Sequence, residues 1–323
     1  MRHLKTRTAR RLRPLYKTRA GAMYCGKAED VLCSFPMNLY KGKVQLVFTS
    51  PPFPLNRKKK YGNLQGEEYV AWIASFAPLL RKYLTSDGSI VVELGNAWER
   101  GNPTMSTLPM RALLAFQEAA ELHLCQEFIC FNTARLPTPA QWVNIERVRV
   151  KDAFTRVWWM SHTPRPKADN RKVLTEYSLS MKTLLKKGTY NHGRRPSEHQ
   201  IGEASFLTDN GGAIPPNVLV PALENMLPDL HEVLPIANTQ SNDPYQVYCR
   251  ENGIEPHPAR MPAELVRFFI LFLTDEGDRV LDPFAGSNTT GYSAEFLKRK
   301  WLAIEADSKY ARVSESRFRR DLG

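Results

Sequence analysis

The chain has 323 residues, 42% of them apolar, which is more than one average domain holds and too apolar for general disorder. Its 45 lysines and arginines outnumber 33 acids, giving +12 and a pI near 9.5, a balance that suits a polyanion such as nucleic acid or, more plainly, a solvated basic surface. Five cysteines, odd in number and without a C-x-x-C spacing, argue against a zinc site or disulfide framework and fit a reducing cytoplasm; no apolar run is long enough to span a membrane.

Residues 1–20 carry eight Lys/Arg and no acid. An organellar transit peptide shares that composition, but apolar residues are sparse and Pro14 interrupts an amphipathic helix. The segment reads as a basic arm, in contact with phosphate or simply solvated. Short apolar runs then alternate with helical patterns, which predicts a mostly parallel α/β sheet with helices on both faces. Strands are expected at 21–25 and 44–49, a helix from Glu67 to Leu84 with Pro78 as a potential kink, a turn at Asp87-Gly88, and a buried strand from Ser89 to Leu94. A helix follows over Leu108–Glu121. Glu127–Phe131 and Thr155–Met160 read as an antiparallel pair.

Periodicity fades after residue 164. From 165 to 255 turn formers, Asn, Gln, His and Arg dominate, as in NHGRRPSEHQ (191–200). So long a stretch reads as a smaller, separate recognition lobe. The α/β pattern resumes at 256 with a helix over Ala263–Leu273, a strand at Arg279–Leu281, a helix over Thr289–Lys300, a strand at Trp301–Ile304 and a last helix from Ser308. The expected organisation is therefore an arm (1–20), an α/β part (21–164), a recognition region (165–255) and the rest of the same α/β domain (256–323).

Two turns carry chemistry. VLDPFAGSNTTG (280–291) is a strand, a tight turn at Gly286 and a helix start with Ser287, Asn288 and Thr289 as cap candidates. Glycine there permits close approach of a ligand to the backbone. The G-x-G-x-x-G and G-K-[ST] phosphate patterns are absent, so a nucleoside without phosphate is the better ligand. The next strand ends in Glu305, spaced to accept hydrogen bonds from both ribose hydroxyls. The plain alternative is an ordinary strand–helix connection.

The second turn is Ser50-Pro51-Pro52-Phe53, after the strand VQLVFT. Two prolines make a stiff element that presents carbonyls. The Ser50 hydroxyl and those carbonyls can accept from an NH₂ group, while Phe53 can stack on a base. The alternative is a proline-rich loop start with Phe53 in the core. If the two parent strands are neighbours, cofactor and base face each other across one crevice. Arg57, Lys58, Lys59 and Lys60 follow, placed to hold phosphates near its mouth or to face solvent.

TSPPF and DPFAGSNTTG resemble the catalytic and cofactor motifs of S-adenosylmethionine-dependent DNA amino methyltransferases. Their order resembles the permuted beta class. HPARMPAELVRFFI (257–270) looks like the family helix before the cofactor turn, and KAEDVL (27–32) like its acidic loop, with Asp30 near the adenine amine. The resemblance implies that Asp282, Phe284, Ala285, Gly286, Ser287, Asn288, Thr289, Glu305 and Asp30 bind S-adenosyl-L-methionine, and that Ser50, Pro51, Pro52 and Phe53 are catalytic. Ser at the first catalytic position is common among cytosine-N4 enzymes. The likeness further implies duplex DNA as substrate, the inner cytosine of CAGCTG as target, and protection of DNA from a partner restriction endonuclease. The middle region is hardly covered by it.

Chemically, hydrogen bonds from N4–H to the Ser50 hydroxyl and the Pro51 carbonyl favour a pyramidal nitrogen aimed at the methyl group. The target base must leave the duplex. Base reading is expected from Arg194, Arg195, His199 and Gln200 in the middle region, whereas His257 is expected to pack or cap. No metal is called for. Carbon-5 chemistry is rejected because no cysteine follows a proline or adjoins Ser50. A monomer suffices, since a palindrome can be methylated one strand at a time. Adenine-N6 methylation and a non-catalytic DNA-binding regulator stay open as alternatives.

Overall fold

A computed structural model describes residues 12–53, 64–132, 135–194, 196–198, 200–202, 205–219, 243–258 and 261–319. In chain order the elements of the main sheet are β1 (Tyr16–Lys17), β2 (Gly21–Cys25), β3 (Val44–Thr49), β4 (Leu84–Gly95), β5 (His123–Phe131), β6 (Phe154–Ser161), β7 (Val218–Leu219), β8 (Arg279–Asp282) and β9 (Lys300–Glu305). The α-helices of five or more residues are α1 (Ala28–Leu32), α2 (Gly66–Arg81), α3 (Leu108–Ala119), α4 (Leu179–Lys187), α5 (Pro244–Glu251), α6 (Ala263–Leu273), α7 (Thr289–Phe296) and α8 (Ser308–Val313) among the described residues.

The sheet order is β1-β2-β9-β8-β3-β4-β6-β5-β7. β2, β9, β8, β3 and β4 are parallel, and β6 runs antiparallel between β4 and β5. The central strands are buried on both faces, which is why VQLVFT is buried at every position rather than at alternate ones. Val47, Ile90 and Val92 face α2 and α3 through Ile73, Phe76, Leu113 and Phe116. Leu46, Phe48 and Val91 face the other way, toward α6. This is the expected mixed α/β architecture with helices on both faces. Pro78 sits inside α2 without ending it.

Two expectations change and a third is extended. Asp87-Gly88 is not a turn between elements but lies within β4. Val44 pairs with Leu84 and Leu46 with Ser89, so the register shifts there. Gln45 fills the shift: its Nε2 donates to Asp87 O (3.2 Å) and its Oε1 accepts from Thr85 Oγ1 (2.8 Å). Second, an arm of 20 residues is too long. Tyr16 pairs opposite Met23, is 8% exposed, accepts from Asn288 Nδ2 (2.9 Å) and bonds to Ser314 Oγ (2.8 Å). One aromatic side chain among basic residues is enough to anchor the segment.

Third, the smaller recognition region expected over 165–255 is also anchored to the sheet. Asp169 N donates to Phe272 O (2.9 Å), Val173 is in the core, and β7 extends the sheet edge by pairing with Ile129 and Cys130. Between these anchors lie α4 and a short hairpin of Gly193–Arg194 with Gln200–Ile201.

Candidate active site at the strand ends

β3 and β8 are neighbours, Val280 opposite Leu46 and Leu281 opposite Val47. Both motifs therefore leave the sheet side by side at its carboxyl end. Thr49 Oγ1 donates to Asp282 Oδ1 (2.9 Å), bonding the last residue of one strand to the last of the other. Helices connect to β8 on one face and to β3 on the other, so this is the point where the sheet reverses its winding.

On the β3 side, Ser50 and Phe53 are half-buried and Pro51 is buried. The Pro52 carbonyl accepts from Tyr69 Oη of α2 (2.8 Å), which pins the stiff segment in place. Phe53 is seated on Gly95 at the end of β4: a Cβ there would come within 2.5 Å of the ring. The Ser50 hydroxyl is hydrogen-bonded to Glu93, whose Oε1 also accepts from Thr155 Oγ1 (2.7 Å) at the start of β6. Burial pushes the Glu93 carboxyl up from its ordinary range, opposed by those two hydroxyls and by nearby Arg135.

On the β8 side, Gly286 has φ +51° and lies against the His257 ring. Asn288, also left-handed at φ +56°, caps α7 by accepting from Gly291 N (3.1 Å). Asp282 accepts from Thr49 Oγ1, Phe284 N (3.0 Å) and Thr290 Oγ1 (2.7 Å), and burial raises its carboxyl to about 6. Ser287 and Thr289 are held by Arg317, which donates to Ser287 O (2.6 Å), Ser287 Oγ (3.2 Å) and Thr289 Oγ1 (3.3 Å). Ala285 N donates to Ile304 O (2.9 Å).

Asp282, Ser287, Asn288 and Thr289 thus have side chains engaged with the protein itself; they shape the turn. Glu305 is differently placed. Its Oε2 accepts from Gly286 N (2.7 Å) and its Oε1 from Asp307 N (2.8 Å), which leaves each carboxylate oxygen further acceptor capacity. Burial raises its carboxyl as well. Cys25 at the end of β2 pairs with Glu305, and α1 begins three residues on, so exposed Asp30 emerges beside the same crevice. Half-buried Phe284 meets Trp72 and Phe76 at ring separations of 5.6 and 5.0 Å, and Trp72 Nε1 donates to Glu29 Oε1 (2.9 Å).

Arg194 and Gln200 are exposed and opposite each other in the hairpin; Arg194 also pairs with Glu198 at 3.8 Å. Arg57, Lys58, Lys59, Lys60, Arg195 and His199 lie outside the described residues. His257 packs, as expected: its ring meets Tyr310 edge-on at 4.6 Å as well as Gly286.

Sequence reasoning missed Glu93, Tyr69 and Arg317. Glu93 had a signal, an acid inside the buried run SIVVEL, where an unpaired charge would be costly. Tyr69 and Arg317 had none, since their partners lie 17 and 28 or more residues away.

The family model described as DNA methylase (N6_N4_Mtase) matches residues 44–316. The chain is 44% identical over 308 residues to the type II methyltransferase M.PvuII of Proteus hauseri, across 95% of this chain and 86% of that protein. The solved PvuII DNA methyltransferase (cytosine-N4-specific) matches with a TM-score of 0.72 and 38% identity, over 97% of this chain and 91% of that one. TTHA0409 of Thermus thermophilus, solved with S-adenosyl-L-methionine, shares the fold at a TM-score of 0.51 and 18% identity, over 93% and 94%. The family match runs through both strand-end motifs, and the chain belongs to the DNA methylase family.

Proposed function

We infer that the protein is a site-specific DNA methyltransferase that moves a methyl group from S-adenosyl-L-methionine to the exocyclic N4 of cytosine. The observation that carries this reading is the adjacency of β3 and β8, which opens the Ser-Pro-Pro-Phe element and the glycine turn onto one crevice. Likeness to the cytosine-N4-specific PvuII enzyme supports N4 as the acceptor.

The residues fit the cofactor. Glu305 offers acceptors for two ribose hydroxyls, left-handed Gly286 carries the turn past Glu305, and Phe284 with Trp72 forms an apolar wall beside α1 and Asp30. When bound, S-adenosylmethionine supplies a methyl already activated by its sulfonium. The protein's task is alignment and electrostatics. A Glu93 carboxyl oxygen can accept the Ser50 proton as it accepts that of Thr155, which leaves the Ser50 lone pairs to accept N4–H. The Pro51 carbonyl takes the second N–H. Both contacts localise the nitrogen lone pair, and Phe53, backed by Gly95, stacks on the extruded base. The ammonium formed by transfer is acidic enough to need no strong base.

Arg57 to Lys60 hold phosphates flanking the extruded nucleotide, and residues 165–255, with Arg194, Arg195, His199 and Gln200, read the target. The likeness implies the inner cytosine of CAGCTG. The protein acts as a monomer on each strand in turn, in the cytoplasm, and shields DNA from a cognate endonuclease that it need not touch. A protection assay tests this. DNA treated with protein and S-adenosylmethionine is challenged with a panel of restriction nucleases. Resistance confined to the nuclease that cuts CAGCTG is expected; full cleavage throughout the panel would contradict the reading.

A further inference from the structure

Residues 135–153 join β5 to β6 at the carboxyl end of the parallel strands. The base of this loop is fixed to the catalytic floor. Arg135 Nη1 donates to Asp152 Oδ2 and Phe154 O (both 2.9 Å), and Asn96 Nδ2 donates to Asp152 Oδ1 (2.8 Å). Asn96 adjoins Gly95, the seat of Phe53, and Arg135 acts electrostatically on Glu93. The loop also has internal order: Trp142 N and Val143 N donate to Pro139 O (3.2 Å each), and Val148 N to Trp142 O (3.0 Å).

On this anchored frame Ile145, Val148 and Val150 are 68%, 58% and 86% exposed. Arg147, Arg149 and Lys151 alternate with the valines. The Arg149 guanidinium lies over the Trp98 ring, with Nη1 shielded from solvent and without an acceptor among the described residues. An apolar patch on an ordered loop marks an interaction site. Interleaved positive charge selects a polyanion, and the position beside Phe53 selects duplex DNA.

We propose that the 135–153 loop is a duplex-contacting wedge. Its apolar tip packs against the base pairs left unstacked when the target cytosine is drawn out, and exposed Arg147 meets a DNA phosphate. Apolar side chains that cover unstacked steps offset the cost of distorting the duplex. The proposal rests on the extrusion reading above, and it makes the tip matter most where extrusion is hardest.

The test is DNA affinity of the triple variant Ile145→Ser/Val148→Ser/Val150→Ser, on a matched duplex and on one with a mismatched base opposite the target cytosine. Binding to the matched duplex is expected to weaken about tenfold, and to the mismatched duplex by less than about threefold, because a mismatched base is already easy to extrude. S-adenosylmethionine binding should be unchanged, which reports on folding. Val150→Ser alone, at an 86% exposed side chain, should move in the same direction and guards against misfolding. The wild type's own preference for the mismatched duplex tests extrusion separately. No loss on either duplex, or equal loss on both, overturns the proposal. So does self-association of the wild type that the variant abolishes, which would assign the tip to a second copy of the chain.

Discussion

At the residue scale, Ser50 and Phe53 are the side chains proposed to meet the reacting base. Ser50→Ala removes an acceptor for N4–H; Phe53→Ala removes the stacking face above Gly95. Transfer should slow about 10²-fold in Ser50→Ala, the size of effect seen when one preorganised polar contact is lost. Single-turnover kinetics alongside cofactor and DNA affinities check this. Near wild-type turnover in both variants would remove them from the site. Asp282 makes a pH prediction. Its carboxyl is raised to about 6 by burial, so between pH 4 and 6 the native state holds a proton that the unfolded chain releases. Its contribution to stability therefore falls as pH rises through that window, by about 3 kcal/mol at most. Asp282→Asn should flatten that part of the stability profile, as read by urea unfolding at several pH values.

At the scale of elements, the turn before α7 is held from outside. Arg317 is buried, grips Ser287 and Thr289, and donates from Nη1 to both carboxylate oxygens of Asp243 (2.5 and 2.6 Å) just before α5. Breaking a buried pair leaves the partner uncompensated, so Arg317→Ala should cost about 3 kcal/mol in chemical unfolding. It should also weaken S-adenosylmethionine binding, because the turn loses its brace. Unchanged cofactor affinity would show that Asn288 and Asp282 suffice. The elements themselves were legible where burial made a strand mostly apolar or a helix periodic, as in VQLVFT and Ala263–Leu273. They were misread where one side chain reversed the local signal. Gln45 absorbed Asp87-Gly88 into β4, and Tyr16 turned part of a basic tail into an edge strand. The glycine turn was placed correctly, and the structure adds the side-chain bonds that hold it. The acceptor capacity of Glu305 follows from its spacing, whereas the commitment of Ser287 to Arg317 depends on a contact 30 residues away.

At the scale of the molecule, sheet order converts two sequence motifs into a site. The strands carrying them are more than 230 residues apart in the chain and adjacent in the sheet. Motif order and composition anticipated a crevice shared by a nucleoside and a base; the pairing of β3 with β8 supplies it. The net charge of +12 fits duplex DNA, and the exposed apolar residues of the 135–153 loop are proposed to add a contact that charge alone would not reveal. The central claim is transfer to N4 of cytosine, and the most direct measurement identifies the product. DNA incubated with the protein and methyl-labelled S-adenosylmethionine is digested to nucleosides, and the labelled one is identified by mass spectrometry, with Ser50→Ala as control. N4-methylcytosine is expected from the wild type and little label from the variant; N6-methyladenine or 5-methylcytosine as the sole product would contradict the claim.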